Sequence, residues 1–248
     1  MNQFVSRETA AQVLQNLKAL ALPTTYDHEK HRVVVSDAQG NEQVVFRLPL
    51  PFSALNAQLE PVQEDPVQYV ILLIQAGNCA LGYFEDGVNL HHKVFRSYMV
   101  RKKQGKSQIK YLKTKGKSRA GSRVRLGETA EFFENINGRL QEYFAHYQIH
   151  RIALSCSKTL LPYLFDAKVA PPFQKRDERI LKIPKHIHTP IYEVMMNANR
   201  FLLKGELIFD PRHQDLIHQL LPDHQDEELP EEEEDFGSEE EDEQEDYY

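Results

Sequence analysis

The chain has 248 residues, 41% of them hydrophobic, which is enough to bury a core in one large or two small domains. The longest strongly apolar run covers only residues 70–74, and the first residues lack a basic start and an apolar stretch, so we expect neither a membrane span nor a secretory signal. Cys79 and Cys156 lie in apolar, strand-like stretches and indicate free buried thiols in a cytoplasmic protein, without a disulfide framework.

The net charge of −7 conceals two segments of opposite sign. Residues 223–246 hold 16 of the 37 acidic side chains and no Lys or Arg, which leaves 21 acidic against 30 basic residues elsewhere. From Lys93 to Arg125 there are 13 Lys or Arg and no Asp or Glu. We therefore expect a basic body with a concentrated basic segment, followed by an acidic tail that cannot bury enough apolar surface to order itself.

The first predicted element is a helix over residues 6–21, where apolar residues recur at helical spacing. Two short strands around a turn at Gly40 follow within residues 32–48. Residues 48–66 are punctuated by proline and predict a connector, with a domain boundary near residue 65. Residues 1–65 are thus predicted to form an N-terminal helix and β-hairpin region.

Strands and helices alternate in the rest of the chain. The predicted elements are, in order, strand 69–77, strand 79–85, a hairpin turn at Asp86-Gly87, one or two strands in 88–100, helix 128–147, strand 151–157, a short helix in 158–166, strand 181–183 and helix 189–205. This order predicts an α/β (α+β) domain over residues 66–210, with a mixed β-sheet flanked by helices. Residues 211–248 are predicted as an acidic, largely disordered tail.

The segment VRKKQGKSQIKYLKTKGKSRAGSRVRLGET, residues 100–129, predicts contact with nucleic acid. Each Lys or Arg beside a phosphate releases counterions, and the interspersed glycines and serines let the backbone approach a phosphate closely. A solvated loop without a specific partner is the alternative interpretation of such a charge run. The basic residues predicted to contact RNA are Lys102, Lys103, Lys106, Lys110, Lys113, Lys115, Lys117, Arg119, Arg123 and Arg125.

A Gly-x-x-Gln pattern, Gly105-Lys106-Ser107-Gln108, lies in the middle of this segment. The pattern is weak by itself, and glutamine does not titrate. Its amide can nevertheless orient a water molecule and donate a hydrogen bond to a developing oxyanion. Ester hydrolysis needs little more when the substrate is activated and held in place, as the aminoacyl ester on a tRNA end would be.

The order of strand, Asp-Gly hairpin, strand, basic loop with Gly-x-x-Gln and long amphipathic helix resembles the central, peptidyl-tRNA-cleaving domain of eukaryotic class I release factors. It is more similar still to the release-factor-like domain of ribosome-associated quality control, typified by the ankyrin-repeat and zinc-finger peptidyl-tRNA hydrolases. The resemblance covers roughly residues 66–210 and is carried by VRKKQGKSQ (100–108) and AGSRVR (120–125). Ser107 stands where the release factors have a second glycine, which favours the quality-control branch. That family often has paired arginines after Ala-Gly-Ser, whereas this chain offers the separate Arg123 and Arg125.

The resemblance implies cleavage of the nascent chain from tRNA, with the large ribosomal subunit, peptidyl-tRNA and rRNA as partners and no cofactor. Gln108 would position water and stabilise the transition state, Gly105 would let the loop reach the tRNA end, and Ser107 lies between them in the catalytic loop. Whether the bond is the ester or a phosphodiester near the tRNA 3′ end stays open. We expect a compact bacterial version that lacks the zinc finger and ankyrin repeats.

Two further questions stay open from the sequence. A non-catalytic RNA-binding or ribosome-assembly protein could use the same basic segment, although phosphate binding alone has no need of Gln108. The acidic tail could be a solubilising tail, could bind basic ribosomal proteins, or could fold back on the basic segment and compete with RNA.

Other candidate sites are weaker. His146 and His150 have the spacing of a zinc-protease helix, but the glutamate that would act as base is missing. His186 and His188 predict an ordinary polar loop, and His91-His92 alternate across a strand, so at most one of them points toward any site. These histidines therefore give no reason to expect a metal site. No glycine-rich phosphate-binding loop with a Lys-Ser/Thr ending is present, so we do not expect an NTPase.

Overall fold

The computed structural model describes residues 1–62, 66–97 and 118–222, with the backbone alone for 118–126. The elements in chain order are β1 (Asn2–Val5), α1 (Arg7–Ala19), β2 (Thr24–Asp27), β3 (Arg32–Ser36), β4 (Glu42–Arg47), β5 (Gln68–Gln75), β6 (Asn78–Glu85), β7 (Val88–Arg96), α2 (Ser118–His146), β8 (Arg151–Cys156), α3 (Leu161–Phe165), β9 (Ile180–Lys182), α4 (Tyr192–Leu203), β10 (Gly205–Phe209), a 3₁₀ turn (Pro211–His213) and α5 (Gln214–Leu220). They form two five-stranded sheets flanked by helices, so the predicted α/β class is confirmed. No helix in these described ranges is both long and apolar enough to cross a membrane.

The first sheet is antiparallel throughout, in the order β1-β10-β4-β3-β2. Alternating residues of its central strands, among them Val33, Val35 and Phe46, share one buried core with α1 and α5. Helix α1 begins at a cap, where Ser6 Oγ accepts a hydrogen bond from the Thr9 N–H at 3.1 Å. The predicted helix over 6–21 and the predicted strand pair around Gly40 are confirmed as α1, β3 and β4.

The second sheet has the order β7-β6-β5-β8-β9, and only β6 runs opposite to the others. Its central strand β5 is buried on both faces. Val70 and Leu72 belong to the core formed with α2, whereas Tyr69 and Ile71 belong to the core formed with α4. Burial between two helical layers explains why the sequence of β5 is an uninterrupted apolar run instead of an alternating one.

The turn between β6 and β7 is the predicted Asp86-Gly87 hairpin. Asp86 has φ 48° and Gly87 has φ 93°, which is the left-handed backbone that a two-residue hairpin turn of type I′ requires. Asn199 of α4 donates from Nδ2 to the Gly87 carbonyl at 2.9 Å and accepts from the Tyr69 hydroxyl at 2.6 Å. These hydrogen bonds fasten the turn to the α4 layer.

A buried ion pair between two strands of the first sheet contacts helix α4. Arg47 Nε of β4 donates to Glu206 Oε2 of β10 at 2.9 Å, and the two side chains are 11% and 10% exposed. Asn2 Nδ2 donates to the other oxygen of Glu206 at 3.0 Å. The Arg47 guanidinium also lies 4.6 Å from the ring centroid of Phe201, which belongs to the core of the second sheet. The pair therefore lies where the two layered units meet.

Helix α2 begins at Ser118, ten residues before the Glu128 at which the sequence predicted its start. Gly121 and Gly127 weaken the sequence signal in these ten residues. A helix that is already nucleated and packed further along extends at little cost, because each added residue contributes one hydrogen bond. The rest of the predicted basic loop, residues 98–117, lies outside the described residues.

The chain after α4 differs from its prediction. The helix predicted over 189–205 ends at Leu203, and β10 follows at once and hydrogen-bonds into the first sheet. Residues 211–222, predicted as part of the acidic tail, form the 3₁₀ turn and α5, whose Ile217 and Leu220 are buried. The structure thus differs from the prediction in this stretch, because Leu216 and Leu221 join these two residues in packing against the core of the first sheet, ahead of the acidic run. Residues 223–248 and the predicted boundary near residue 65 lie outside the described residues.

Candidate functional site

Most of the predicted site residues lie outside the described part of the chain. This holds for the predicted catalytic residues Gly105, Ser107 and Gln108 and for the lysines from Lys102 to Lys117. The backbone of the first two turns of α2 carries Arg119, Arg123 and Arg125. The surroundings of the site are therefore defined by the two ends of the basic segment, at the end of β7 and the start of α2.

The basic segment leaves the second sheet directly after β7. The Ser97 N–H donates to the Gly77 carbonyl, in the turn between β5 and β6, at 2.8 Å, and Ser97 Oγ donates to the Glu128 carbonyl of α2 at 3.4 Å. An α-helix rises about 1.5 Å per residue, so the ten residues from Ser118 to Gly127 extend α2 about 15 Å past this contact. The segment thus leaves and rejoins the fold at one edge of the sheet, where α2 projects beyond the strands.

That edge holds the carboxyl ends of β5, β7, β8 and β9, the four strands that share a direction. Ligands of layered α/β sheets bind beside such ends. Gln75, at the end of β5, donates from Nε2 to the Ile187 carbonyl in the loop after β9 at 2.6 Å. The neighbouring exposed rings of His186 and His188 lie edge to face with centroids 4.4 Å apart. The sequence predicted only an ordinary polar loop for His186 and His188. The strand order places this loop at the carboxyl edge, and strand order cannot be read from the local sequence.

The loop after β8 adds further polar groups to the same edge. Ser157 Oγ and Thr159 Oγ1 lie 2.9 Å apart in one hydrogen bond, and Lys158 between them is exposed. Hydroxyl and ammonium groups are common donors to phosphate oxygens of nucleic acids. The carboxyl edge therefore offers hydroxyls, imidazoles and an ammonium group on the same edge as the end of β7, three to four strand positions along the sheet.

Stacked aromatic rings fix the other end of α2. The ring of Tyr147, just after the helix, stacks on Tyr83 of β6 with centroids 3.9 Å apart, and its hydroxyl lies 2.8 Å from Nε2 of His91 in β7. Burial, reinforced by the Glu85 carboxylate, raises the pKa of Tyr83 to about 12, so its hydroxyl stays protonated at neutral pH. The helix that carries the returning end of the basic segment is thus held firmly against β6 and β7.

The two cysteines lie in the core of the second sheet. Both are free, and both contribute to the core between the second sheet and α2, with Cys79 fully buried and Cys156 partly buried. Burial raises the pKa of Cys79 and raises the pKa of Cys156 to about 12. Since the thiolate is the reactive form, burial disfavours reaction at both side chains. The predicted free thiols are confirmed.

The histidine pair with zinc-protease spacing is held by two different backbone partners. His146 Nδ1 donates to the Glu142 carbonyl at 2.7 Å, whereas His150 Nδ1 accepts from the Gln68 N–H at 3.0 Å. Within the ranges that the structure describes, no three His, Cys, Asp or Glu side chains are grouped to hold a metal ion.

Known proteins resemble this chain over most of the second sheet. Residues 69–208 match the bVLRF1 family, described as Bacteroidetes VLRF1 release factor. The match begins in β5, ends in β10, contains the whole basic segment and spans more than half of the chain. It therefore covers the residues on which the sequence-based resemblance rested.

One curated relative and one solved structure extend the comparison. A Mus musculus protein named tRNA endonuclease ANKZF1 is 27% identical over 176 residues, which cover 65% of this chain and 23% of the relative. This chain thus spans less than a quarter of that protein's length. A solved structure named Vms1 mitochondrial localization core has a TM-score of 0.39 at 15% identity, over 85% of this chain and 86% of its own.

Proposed function

Because this chain belongs to the Bacteroidetes VLRF1 release factor family, we propose that it cleaves the nascent chain from peptidyl-tRNA on the large ribosomal subunit in rescue or quality control. The observation that carries the proposal is that the matched residues, 69–208, include the basic segment with its Gly-x-x-Gln pattern. We place this activity in the cytoplasm, with rRNA and peptidyl-tRNA as partners.

The proposed reaction is hydrolysis of the ester between the nascent chain and the tRNA ribose. Water attacks the ester carbonyl carbon, the bond to the ribose oxygen breaks, and that oxygen takes up a proton. In this proposal Gln108 orients the water and donates its amide N–H to the developing oxyanion, while Gly105 permits a close backbone approach. Ser107 lies between them in the same loop. Positioning of an activated ester supplies much of the acceleration.

The lysines and arginines of the basic segment supply ground-state binding in this proposal. Their contacts with phosphates release counterions, so affinity for ribosomal particles is expected to fall steeply as salt rises. We define the triple-lysine variant as Lys113→Ala, Lys115→Ala and Lys117→Ala. It is expected to lower the slope of log affinity against log salt by about 2–3, because each phosphate contact contributes about 0.7–0.9.

A second candidate reaction is cleavage of a phosphodiester near the 3′ end of the tRNA. It is favoured by the name of the mouse relative, a tRNA endonuclease. The exposed imidazoles of His186 and His188, at the edge where the basic segment leaves the sheet, are of the type that transfers protons in such cleavage. Both reactions would separate the nascent chain from the body of the tRNA. Ester hydrolysis leaves the tRNA 3′ end intact, whereas phosphodiester cleavage shortens it and leaves its terminal nucleotides on the nascent chain.

The deciding experiment replaces Gln108 and follows release of a labelled nascent chain from peptidyl-tRNA on isolated large subunits. Gln108→Ala is expected to reduce the release rate about 10²- to 10³-fold, because one oxyanion donor is lost, while subunit binding is retained. Gln108→Glu should be similarly slow, since its charge would face the oxyanion. Gln104→Ala, in the same segment, is the matched control and should release at the wild-type rate.

Each outcome of this experiment has a separate meaning. If the wild-type protein binds subunits but releases nothing, the hydrolase proposal fails and a non-catalytic RNA-binding function replaces it. If Gln108→Ala releases as fast as the wild-type protein, the assignment of Gln108 is wrong although the activity stands. An intact tRNA 3′ end after release indicates ester hydrolysis, and a shortened end indicates phosphodiester cleavage.

A further inference from the structure

A wide groove lies at the amino edge of the second sheet, opposite the edge at which the basic segment leaves. It runs between the β2–β3 hairpin of the first sheet and the residues that lead into β8 and β9, and its volume is about 1490 Å³. Pockets for small molecules enclose about 300–1,000 Å³, so this larger, open groove suits an extended polymer better. Its basic lining residues are Lys30, Arg151, Lys175, Arg176, Arg179 and Lys182.

The groove carries more positive charge than its own carboxylates neutralise. It is lined by three acidic residues, and one of them, Asp177, is fully engaged by Arg179 through contacts of 2.9 Å and 2.7 Å. Lys175, Arg176 and Lys182 are exposed, and no carboxylate of the described residues forms an ion pair with them. Three cations on the groove wall are therefore available to an anionic partner.

Arg151, at the start of β8, places a further cation in the groove wall. It is half-buried, and its guanidinium donates to the Phe52 carbonyl at 3.1 Å and lies beside the Tyr26 hydroxyl. Burial lowers the pKa of Arg151, which the neighbouring Tyr26 partly offsets. No carboxylate in the described ranges pairs with this guanidinium. A partly buried cation without a counterion is costly unless a ligand supplies the negative charge.

We propose that this groove binds the sugar–phosphate backbone of RNA as a second contact surface, separate from the basic segment. The inference rests on the proposed function, because a release factor meets RNA on the ribosome. Strand β5 has eight residues at about 3.3 Å each, so the two surfaces lie roughly 26 Å apart on opposite edges of one sheet. RNA held at both edges would orient the catalytic segment toward its substrate.

The chain's own acidic residues 223–248 are the competing occupant, because they carry negative charge without Lys or Arg. RNA is favoured because the proposed function brings the chain against rRNA and tRNA, which offer a phosphate at every nucleotide to the unpaired cations of the groove wall.

The test measures binding of deproteinised, deacylated tRNA to the full chain over a range of salt concentrations. It is made in the triple-lysine variant, so that the basic segment contributes less. Adding Lys175→Glu and Arg176→Glu is expected to lower the salt slope by about 2 and the affinity by about tenfold or more. The matched control, Lys168→Glu with Arg200→Glu, makes the same change of charge at exposed residues outside the groove and should alter affinity less than about twofold. Equal losses in the two double variants would overturn the proposal.

A photoreactive residue at Gln148, an exposed residue of the groove lining, identifies the occupant. Crosslinks to tRNA are expected, and crosslinks only to a peptide from residues 223–248 would assign the groove to the tail instead. Failure here is distinct from failure of the proposed function. If the wild-type protein releases no nascent chain but the groove substitutions still weaken tRNA binding, the hydrolase proposal alone is refuted. If the Lys175→Glu, Arg176→Glu variant releases nascent chains at the wild-type rate and its tRNA binding is unchanged, the groove proposal alone is refuted.

Discussion

Removing one partner of the buried Arg47–Glu206 ion pair is expected to destabilise the fold by about 3–5 kcal/mol. The Glu206 oxygens are engaged by Arg47 Nε at 2.9 Å and by Asn2 Nδ2 at 3.0 Å, and its side chain is 10% exposed. Arg47→Met would therefore leave a largely buried carboxylate with one neutral donor. Because domains are stable by about 5–15 kcal/mol in total, this loss would be a large fraction of the free energy of unfolding.

The double variant, Arg47→Met with Glu206→Met, separates the charge effect from the packing effect. Both charges are then gone, and a flexible apolar side chain at position 47 lies beside the Phe201 ring. Replacement of a complete buried pair by apolar residues is commonly neutral or stabilising, so the double variant should unfold near the wild-type midpoint. The double-mutant cycle should thus give a large favourable coupling between the two positions.

The assay is equilibrium unfolding in urea, followed by circular dichroism and tyrosine fluorescence, since the chain has 11 Tyr and no Trp. The control is the exposed pair of Arg212 and Asp210, whose Nε–Oδ1 distance is also 2.9 Å. Arg212→Met should leave the midpoint unchanged, because exposed ion pairs contribute little. Equal destabilisation of the single and double variants at Arg47 would refute the reasoning, since it would mean that packing, and not an unpaired charge, sets the cost.

Three further predictions concern backbone space, pH and the tail. Gly82→Ala should lower the free energy of unfolding by about 1–3 kcal/mol, because the new Cβ would lie 2.6 Å from Phe84 Cε2. Gly138→Ala, whose Cβ would meet open space in α2, should raise the free energy of unfolding by about 0.5–1 kcal/mol. Equal urea midpoints for the two variants would contradict this. Burial lowers the pKa of His31, so the unfolded chain takes up the proton at a higher pH than the folded chain. The free energy of unfolding should therefore fall as the pH drops below about 6.5, and His31→Gln should weaken this dependence. Parallel plots of stability against pH for the two proteins would argue against this assignment. Deleting residues 223–248 is expected to tighten tRNA binding at low salt, as the tail competes for the same cations, and unchanged affinity would leave only the solubility or ribosomal-protein roles.

Elements with strong local signals were predictable from the sequence. The apolar run of β5 could be recognised because a strand covered on both faces has no polar positions, and the Asp86-Gly87 turn because few residue pairs adopt its backbone. Strand β10 was not predicted. Its five residues follow α4 without a turn cluster, and its partners β1 and β4 come some 200 and 160 residues earlier in the chain. Such pairings depend on the whole topology.

The candidate site was also predictable only in part. The basic segment and Gln108 could be proposed because charge and a short motif are local properties of the sequence. The grouping of Gln75 with the loop around Ile187 depends on strand order, and so does the groove beside Arg151. Sequence reasoning therefore identified the segment proposed to carry the chemistry but not the surfaces that surround it.

The pairing of β10 with β1 and β4 constrains the order in which a growing chain can fold. At about 5–20 residues per second, translation takes roughly 8–30 seconds to proceed from β4 to β10. During that interval β4 has β3 on one side and an open edge on the other, and β1 has no neighbour in the first sheet. The first sheet can close only after residue 209 has been made, so a ribosome stalled between β4 and β10 would hold an incompletely folded chain with an exposed strand edge.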